Sequence, residues 1–255
     1  MTVYQYPDER GRVLLQKLRY QTLPPATHDM PFPLPKKKFK MEARSQEGHA
    51  WCNTPRAIES VHPDLHDYFA SLLYGLPALL RAIRSGSTGL TVYWTEGEKD
   101  ADSINAAGGL AVSHWKGATS ATLAQAERLR PWLGGVVVCA DEDPRGAACA
   151  WRRYRLLREV GIATDRIRIV RPAGPKVLKR DVTDHLQDGY ALTELVDMDL
   201  HKLERYVVHL TPEQLREGSA SYSAADLNAW SPQVEIPPDQ HEGKVMTEWR
   251  GSPDE

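Results

Sequence analysis

The stretch VVVCADEDPRG, Val136 to Gly146, sets Asp141, Glu142 and Asp143 side by side at the end of an apolar run. Carboxylates crowded in this way repel one another unless water, a proton or a cation separates them. Asp143 stands before Pro144 and could cap a helix that starts there. Asp141 is harder to explain as a cap, because it closes a run of valines where an unpaired carboxylate would be costly to bury. Other acids share this setting. Glu96 ends the apolar run LTVYWTE and is followed by Lys99 and Asp100 in EGEKDAD, while Asp181 and Asp184 follow Lys179 and Arg180 in KRDVTDHL. A divalent cation would relieve the crowding. Hard ions such as Mg2+ take oxygen ligands, keep several waters and often need only one or two protein carboxylates plus a phosphate. A pair of such ions can activate a sugar hydroxyl and stabilise a leaving pyrophosphate. Lys99, Arg145, Lys179 and Arg180 are the candidates to meet a triphosphate beside them.

Rival chemistries lack their marks. No GxxxxGK[ST] phosphate loop precedes the acidic strand end, and HWKGATS lacks the glycine spacing. The GxGxxG of a dinucleotide site is absent. An aspartyl-phosphate enzyme could use two aspartates one residue apart, but DEDPRG lacks the hydroxyl-bearing residue expected just after them. His114, His185 and His201 show no ligand spacing.

The elements that must position these acids follow a regular order. LTVYWTE, LAVSHW, GVVVCAD and RIRIVRP read as strands. Between them GEKDADSINAAGG, SATLAQAERLRPWL and PRGAACAWRRYRLLREVG read as helices, the last opened by Pro144 and closed by Gly161. This alternation predicts an α/β domain with a mostly parallel sheet, whose ligands sit beyond the carboxyl ends of the strands. Glu96 and Asp141 both fall there. Arg152, Arg153, Arg155 and Arg158 read as a solvated helix face. After Arg171, PAGPKVLKRDVTDHLQDGY reads as a loop. DLHKLERYVVHLTPEQLREG suggests helix, strand and a helix start, and the tail from Ser231 a linker.

Upstream, VYQY and VLLQKLRYQ flank the turn-like PDERGR and predict a hairpin. TLPPATHDMPFPLPKKKFK is rich in proline and lysine and reads as a loop or extended segment. Its Lys36, Lys37, Lys38 and Lys40 form the densest basic cluster and, with Tyr20 and Phe39, could grip single-stranded nucleic acid by charge and stacking. YFASLLYGLPALLRAIRS is partly helical, with a second helical piece begun at Pro77.

Composition sets broad limits. The chain has 255 residues, 41% of them apolar and 26% charged, with a net charge of -2, which suits a globular protein and neither requires nor excludes a nucleic-acid partner. The sparse cysteines, Cys52, Cys139 and Cys149, form no CxxC pair, so no zinc site is expected and a reducing, cytoplasmic setting is. No signal peptide is evident, and no apolar stretch approaches the ~18 residues of a membrane span.

Taken in order, EGEKDAD (Glu96–Asp102), DEDPRG (Asp141–Gly146) and KRDVTDHL (Lys179–Leu186) resemble the motifs of the Toprim domain, shared by bacterial and phage primases, topoisomerases and some nucleases. The likeness is strongest to the primase portion of phage and plasmid primase–helicase proteins. Glu96 with Gly97, Asp100, the DxD pair Asp141 and Asp143, Gly146, and Asp181 match the family pattern. YQYPDERGRVLLQKLRYQ and LYGLPALLRAI resemble the segments that precede the domain in such primases.

The resemblance implies a Toprim-like, mostly parallel sheet with flanking helices, preceded by a small β-rich N-terminal region. It divides the chain into a primase-like β/α region with a basic loop (1–88), a catalytic domain (89–200) and a C-terminal extension (201–255). It implies Mg2+ or Mn2+ at Asp141, Asp143 and Asp181, and Glu96 as general base with Lys99 and Asp100 beside it. The expected activity is primase-like nucleotidyl transfer on single-stranded DNA in phage or plasmid replication, inside a bacterial or phage-infected cell. A metal-dependent nuclease and a non-catalytic DNA-binding module are the alternatives, since the same acids serve synthesis and cleavage. Expected partners are single-stranded DNA, nucleoside triphosphates, and a replicative helicase or separate template-binding subunit; a membrane is not expected. The sequence departs from the family pattern in lacking the zinc ribbon that normally reads the template and the helicase that often follows.

Overall fold

Alternation in TVYQYP turns Tyr4 and Tyr6 inward and leaves Val3 and Gln5 at the surface. In the computed structural model, which describes residues 1–22, 36–44, 51–53, 66–87, 89–115, 120–175 and 179–210, this segment is strand β1 (Thr2–Pro7). It pairs antiparallel with β2 (Val13–Thr22), Tyr4 opposite Lys17. The turn between them is tied by Asp8, which accepts the amides of Arg10 and Arg12 at 2.9 and 2.8 Å. Strands β3 (Lys36–Arg44) and β4 (Trp51–Asn53) complete a four-stranded sheet in sequence order.

The basic cluster, which the sequence leaves as loop or extended segment, lies in a strand. Phe39, Met41 and Ala43 alternate with Lys38, Lys40 and Glu42, a period of two that the lysines obscure, and Ala43 is buried. The proline-rich residues before it, and the tail, lie outside the described residues.

Two helices, α1 (His66–Ala70) and α2 (Leu76–Arg84), lead to the second sheet. Pro77 sits in the first turn of α2, where a missing N–H breaks no hydrogen bond. Gly75, at φ 81°, is packed so closely that a Cβ there would stand 2.5 Å from the Ala111 carbonyl oxygen.

The second sheet has five strands in the order β6-β5-β7-β8-β9. β5 (Thr91–Thr95), β6 (Leu110–Ser113), β7 (Gly135–Cys139) and β8 (Ile167–Arg171) are parallel, and the short β9 (Val196–Asp197) runs antiparallel to β8. Helix α3 (Glu98–Ala106) follows β5, α4 (Leu123–Leu129) follows β6, and α5 (Pro144–Glu159) follows β7. The predicted alternation is therefore present.

Both faces of this sheet are covered, as a parallel sheet requires. Val92, Trp94, Val136 and Val138 pack in one core with Leu72, Leu76 and Leu79 and with Tyr4, Tyr6 and Leu15 of the first sheet. Val137, Cys139 and Val170 pack on the other face with Ala101 and Ile104 of α3.

From β5 the chain crosses to one side to make β6 and then to the other side to make β7. The order reverses between β5 and β7, and ligands of open α/β sheets bind at such a point, beyond the strand ends.

The segment after Arg171, loop-like in sequence, contains helix α6 (Val182–Gln187), started by the reciprocal cap between Asp181 and Asp184. Helix α7 (Leu200–Val208) follows, capped by Asp199, and buries Leu203 in the main core. No helix among the described residues is long and apolar enough to cross a membrane.

Candidate active site

β5 and β7 pair directly, Trp94 opposite Val138, so Glu96 and Asp141 leave neighbouring strand ends. The floor beneath them is a buried cation. Arg153 of α5 is 0% exposed and donates to the Trp94 carbonyl at 2.5 Å and the Cys139 carbonyl at 2.8 Å. The sequence grouped Arg153 with a solvated face. Arg152, Arg155 and Arg158 are exposed, but Arg153 turns inward onto the two strand ends.

The acidic loop divides its side chains. Asp143 caps α5, its Oδ1 accepting the Gly146 amide at 2.6 Å. Gly146 has no room for a side chain, since a Cβ would stand 2.5 Å from the Asp141 carbonyl oxygen. Glu142 points away from both aspartates and pairs with the buried Arg171 at 2.9 Å. Its backbone accepts the Lys179 amide at 3.1 Å and donates to the Arg180 carbonyl at 2.9 Å. Those two bonds bring Asp181 to the acidic loop. Lys179 is held at φ 61°, a left-handed conformation that an L side chain seldom adopts and that concentrates near functional sites.

Helices α3 and α6 join across the edge. Asp100 accepts the Thr183 amide at 3.2 Å and the Thr183 hydroxyl at 2.6 Å. Lys99 forms an ion pair with Asp181 Oδ2, while Asp181 Oδ1 accepts the Asp184 amide at 2.9 Å.

The acids impose on one another. Burial, with the Asp143 charge added, pushes Glu96 up to about 7 against the opposing pull of Arg153 and Arg145. Burial and then Asp181 push Asp100 up to about 6, with Thr183 working the other way. Asp141 is driven well above the usual carboxylate range by burial and by Glu96, Asp100, Asp143 and Asp181 together. Burial raises Asp143 too, against the Gly146 amide. Glu96 Oε2 is buried without a hydrogen-bond partner among the described residues. All-oxygen donors, mutual repulsion and an orphaned carboxylate oxygen fit a hard divalent cation. Among the described residues no three His, Cys, Asp or Glu side chains converge into a closed metal cage. An ion of the Mg2+ kind, which takes most of its ligands from water and phosphate, asks for only one or two protein carboxylates.

Of the basic candidates, Arg145 and Lys179 act on the acids, Arg145 on Glu96 and Asp143, and Lys179 on Asp143. Arg180 is 6% exposed, donates to the Ala173 carbonyl at 3.2 Å and pairs with Asp188, so it braces its own loop. Lys38 and Lys40 lie on the other sheet, Lys38 exposed and Lys40 paired with Glu42 at 2.8 Å. The side chains of Lys36 and Lys37 lie outside the described ones.

Sequence reasoning passed over Glu98. It is buried at the start of α3, bound by Lys17 at 2.8 and 2.9 Å and by the Tyr6 hydroxyl, and so fastens the first sheet to the helix that carries Lys99 and Asp100. Glu142 was legible in principle, because alternate residues of an extended segment face opposite ways.

No family model and no curated protein matches this chain. Solved structures do. The catalytic core of the E. coli primase is 15% identical with a TM-score of 0.50, over 81% of this chain and 55% of that one. A DNA primase domain from Pseudomonas aeruginosa is 16% identical with a TM-score of 0.50, over 82% of this chain and 56% of that one. The chain thus spans little more than half the length of those structures, and over that span it has the fold of a bacterial primase catalytic core.

Proposed function

We propose that the chain carries out primase-like nucleotidyl transfer, joining nucleotides along a single-stranded DNA template with Mg2+ or Mn2+. One observation carries this reading: Glu96, Asp100, Asp141, Asp143 and Asp181 share one electrostatic field at the point where the strand order of a primase-type sheet reverses. Asp141, Asp143 and Asp181 would hold the metal, and bound ions supply the charge that activates a hydroxyl and steadies a leaving pyrophosphate.

The chain's own residues do the rest. Glu96, with a pKa of about 7, can both take up and return a hydroxyl proton near neutral pH. Asp143 and Gly146 fix the acidic loop on α5, and Arg153 holds the floor from below. Arg145 and Lys179, which already act on Asp143, are the cations to meet phosphate oxygens. In this reading residues 1–88 serve the template side, where the exposed Phe39 and Lys38 of β3 offer a stacking and charged surface. Residues 89–200 hold the chemistry. The phage or plasmid setting, and a helicase or template-binding subunit as partner, rest on the motif resemblance alone.

The test is incubation of the protein with a panel of single-stranded DNA templates, labelled nucleoside triphosphates and Mg2+ or Mn2+, with end-labelled DNA in parallel lanes. Short new products that vanish in Asp141→Ala support the reading. Metal-dependent loss of the DNA without synthesis overturns it in favour of a nuclease. DNA binding that survives Asp141→Ala, with neither activity in the wild type, favours a binding module.

A further inference from the structure

We propose that Lys99 is an internal counter-ion that holds Asp181 until a divalent ion displaces it. The inference rests on the metal-dependent reading above and adds an order to it: Asp141 meets an ion first, and Asp181 joins only when Lys99 lets go.

Both oxygens of Asp181 are engaged. Oδ1 takes the Asp184 amide at 2.9 Å as part of the cap that starts α6, and Oδ2 takes the Lys99 ammonium. The cap is part of the helix and stays. The ammonium is the replaceable ligand, on a side chain 38% exposed, while the Asp181 side chain it covers is 15% exposed. Asp141 stands in contrast: burial and four neighbouring acids act on it, and no cation pairs with its carboxylate among the described residues.

Release of Lys99 does not loosen the helices. Asp100 keeps α3 on α6 through its two bonds to Thr183, and the Ser103 and Thr183 hydroxyls meet at 2.9 Å. Lys99 can therefore leave Asp181 while its helix stays in place, and its ammonium is then free for a phosphate oxygen arriving at the same edge. A lysine suits this role better than an arginine would, because a single flexible point charge exchanges partners more readily than a planar fork.

The experiment counts bound Mn2+ from the free-ion electron paramagnetic resonance signal in the wild type, Lys99→Gln, Lys99→Arg and Asp141→Asn. Removing a partly exposed competing charge should tighten the weaker Mn2+ step in Lys99→Gln by about fivefold. Lys99→Arg, which keeps the charge, should bind no more tightly than the wild type. Asp141→Asn should lose the stronger step. Unchanged or weaker Mn2+ binding in Lys99→Gln, with Asp141→Asn still impaired, overturns the counter-ion role and leaves the metal reading standing. Mn2+ binding in Asp141→Asn equal to wild type overturns the metal reading and the counter-ion role with it.

Discussion

Acids in the two halves of the molecule meet opposite surroundings. Around the antiparallel sheet each described acid has a donor fitted to it. Burial works against Asp8, yet the amide and guanidinium of Arg12 and the Arg10 amide hold its carboxyl below the ordinary range. Glu9 is held down in the same manner, burial being outweighed by the Tyr68 hydroxyl and Arg128. Lys40 and Gln16 lower Glu42. At the parallel-sheet edge Glu96, Asp100, Asp141 and Asp143 are all raised, by burial first and then largely by one another. The first group stabilises the fold, and the second is a strain that the fold tolerates. Acids raised by burial and by one another more than their donors lower them, in an otherwise well-paired protein, are the groups that a cationic ligand would relieve.

The sharpest way to break this comparison is Asp141→Asn. Loss of several kcal/mol of transition-state stabilisation should lower nucleotidyl transfer by about a hundredfold or more. The same change should raise the thermal stability of the metal-free protein near pH 8, by about 1–3 kcal/mol, because it removes a carboxyl whose ionised form the folded state disfavours. A destabilised Asp141→Asn would show that the edge is paired after all.

Glu98→Ala should do the reverse. It breaks a buried pair and leaves Lys17 and Tyr6 without their acceptor, a loss of about 3 kcal/mol in denaturant unfolding. Unchanged stability would remove the contrast between the halves.

The pH profile of the metal-free protein sharpens it further. Glu96 and Asp100 have folded pKa values of about 7 and about 6, above their unfolded values near ~4. The folded state therefore holds more protons than the unfolded state, and their contribution to stability falls as pH rises from about 4 to about 7. Asp8, Glu9 and Glu42 are lowered, so their contribution is fully present above their unfolded values near ~4 and is lost as pH falls through their folded values. The melting temperature should peak near about pH 5 and decline toward pH 8, and Mn2+ or Mg2+ should restore it more at pH 8 than at pH 5. A flat profile from pH 5 to 8 would contradict the raised values. The smallest effect belongs to Lys40→Gln: its pair with Glu42 is 43% exposed on the lysine side, and stability should move by no more than about 0.5 kcal/mol.

Legibility in the sequence followed the same division. From Leu90 to Arg171 each strand is a short apolar run and each helix has its own glycine or proline stop, so type and order could be read directly. Strand β3 was hidden because four of its first five residues are lysine, and their charge masks the alternation of Phe39, Met41 and Ala43. Helix α6 is too short for its apolar period to show, and its cap lies inside a charged run. The site acids were visible from type and spacing, but their partners were not. Arg153 looks like its neighbours on α5 until the carbonyls it must reach are known. Glu98 and Glu142 look like members of the acidic set until their side chains are seen to face other partners.

The clasp between Glu98 and the first sheet bears on how far this molecule is modular. A chain begun at residue 89 would keep all the raised acids yet lose Lys17, Tyr6 and the Leu72, Leu76 and Leu79 side of the shared core. It would then carry a bared carboxylate at the first turn of α3 and an uncovered apolar sheet face. The minimal unit that can hold Lys99 and Asp100 in register is larger than the set of motifs that does the chemistry, and a graft or truncation designed around the motifs alone would cut through its support.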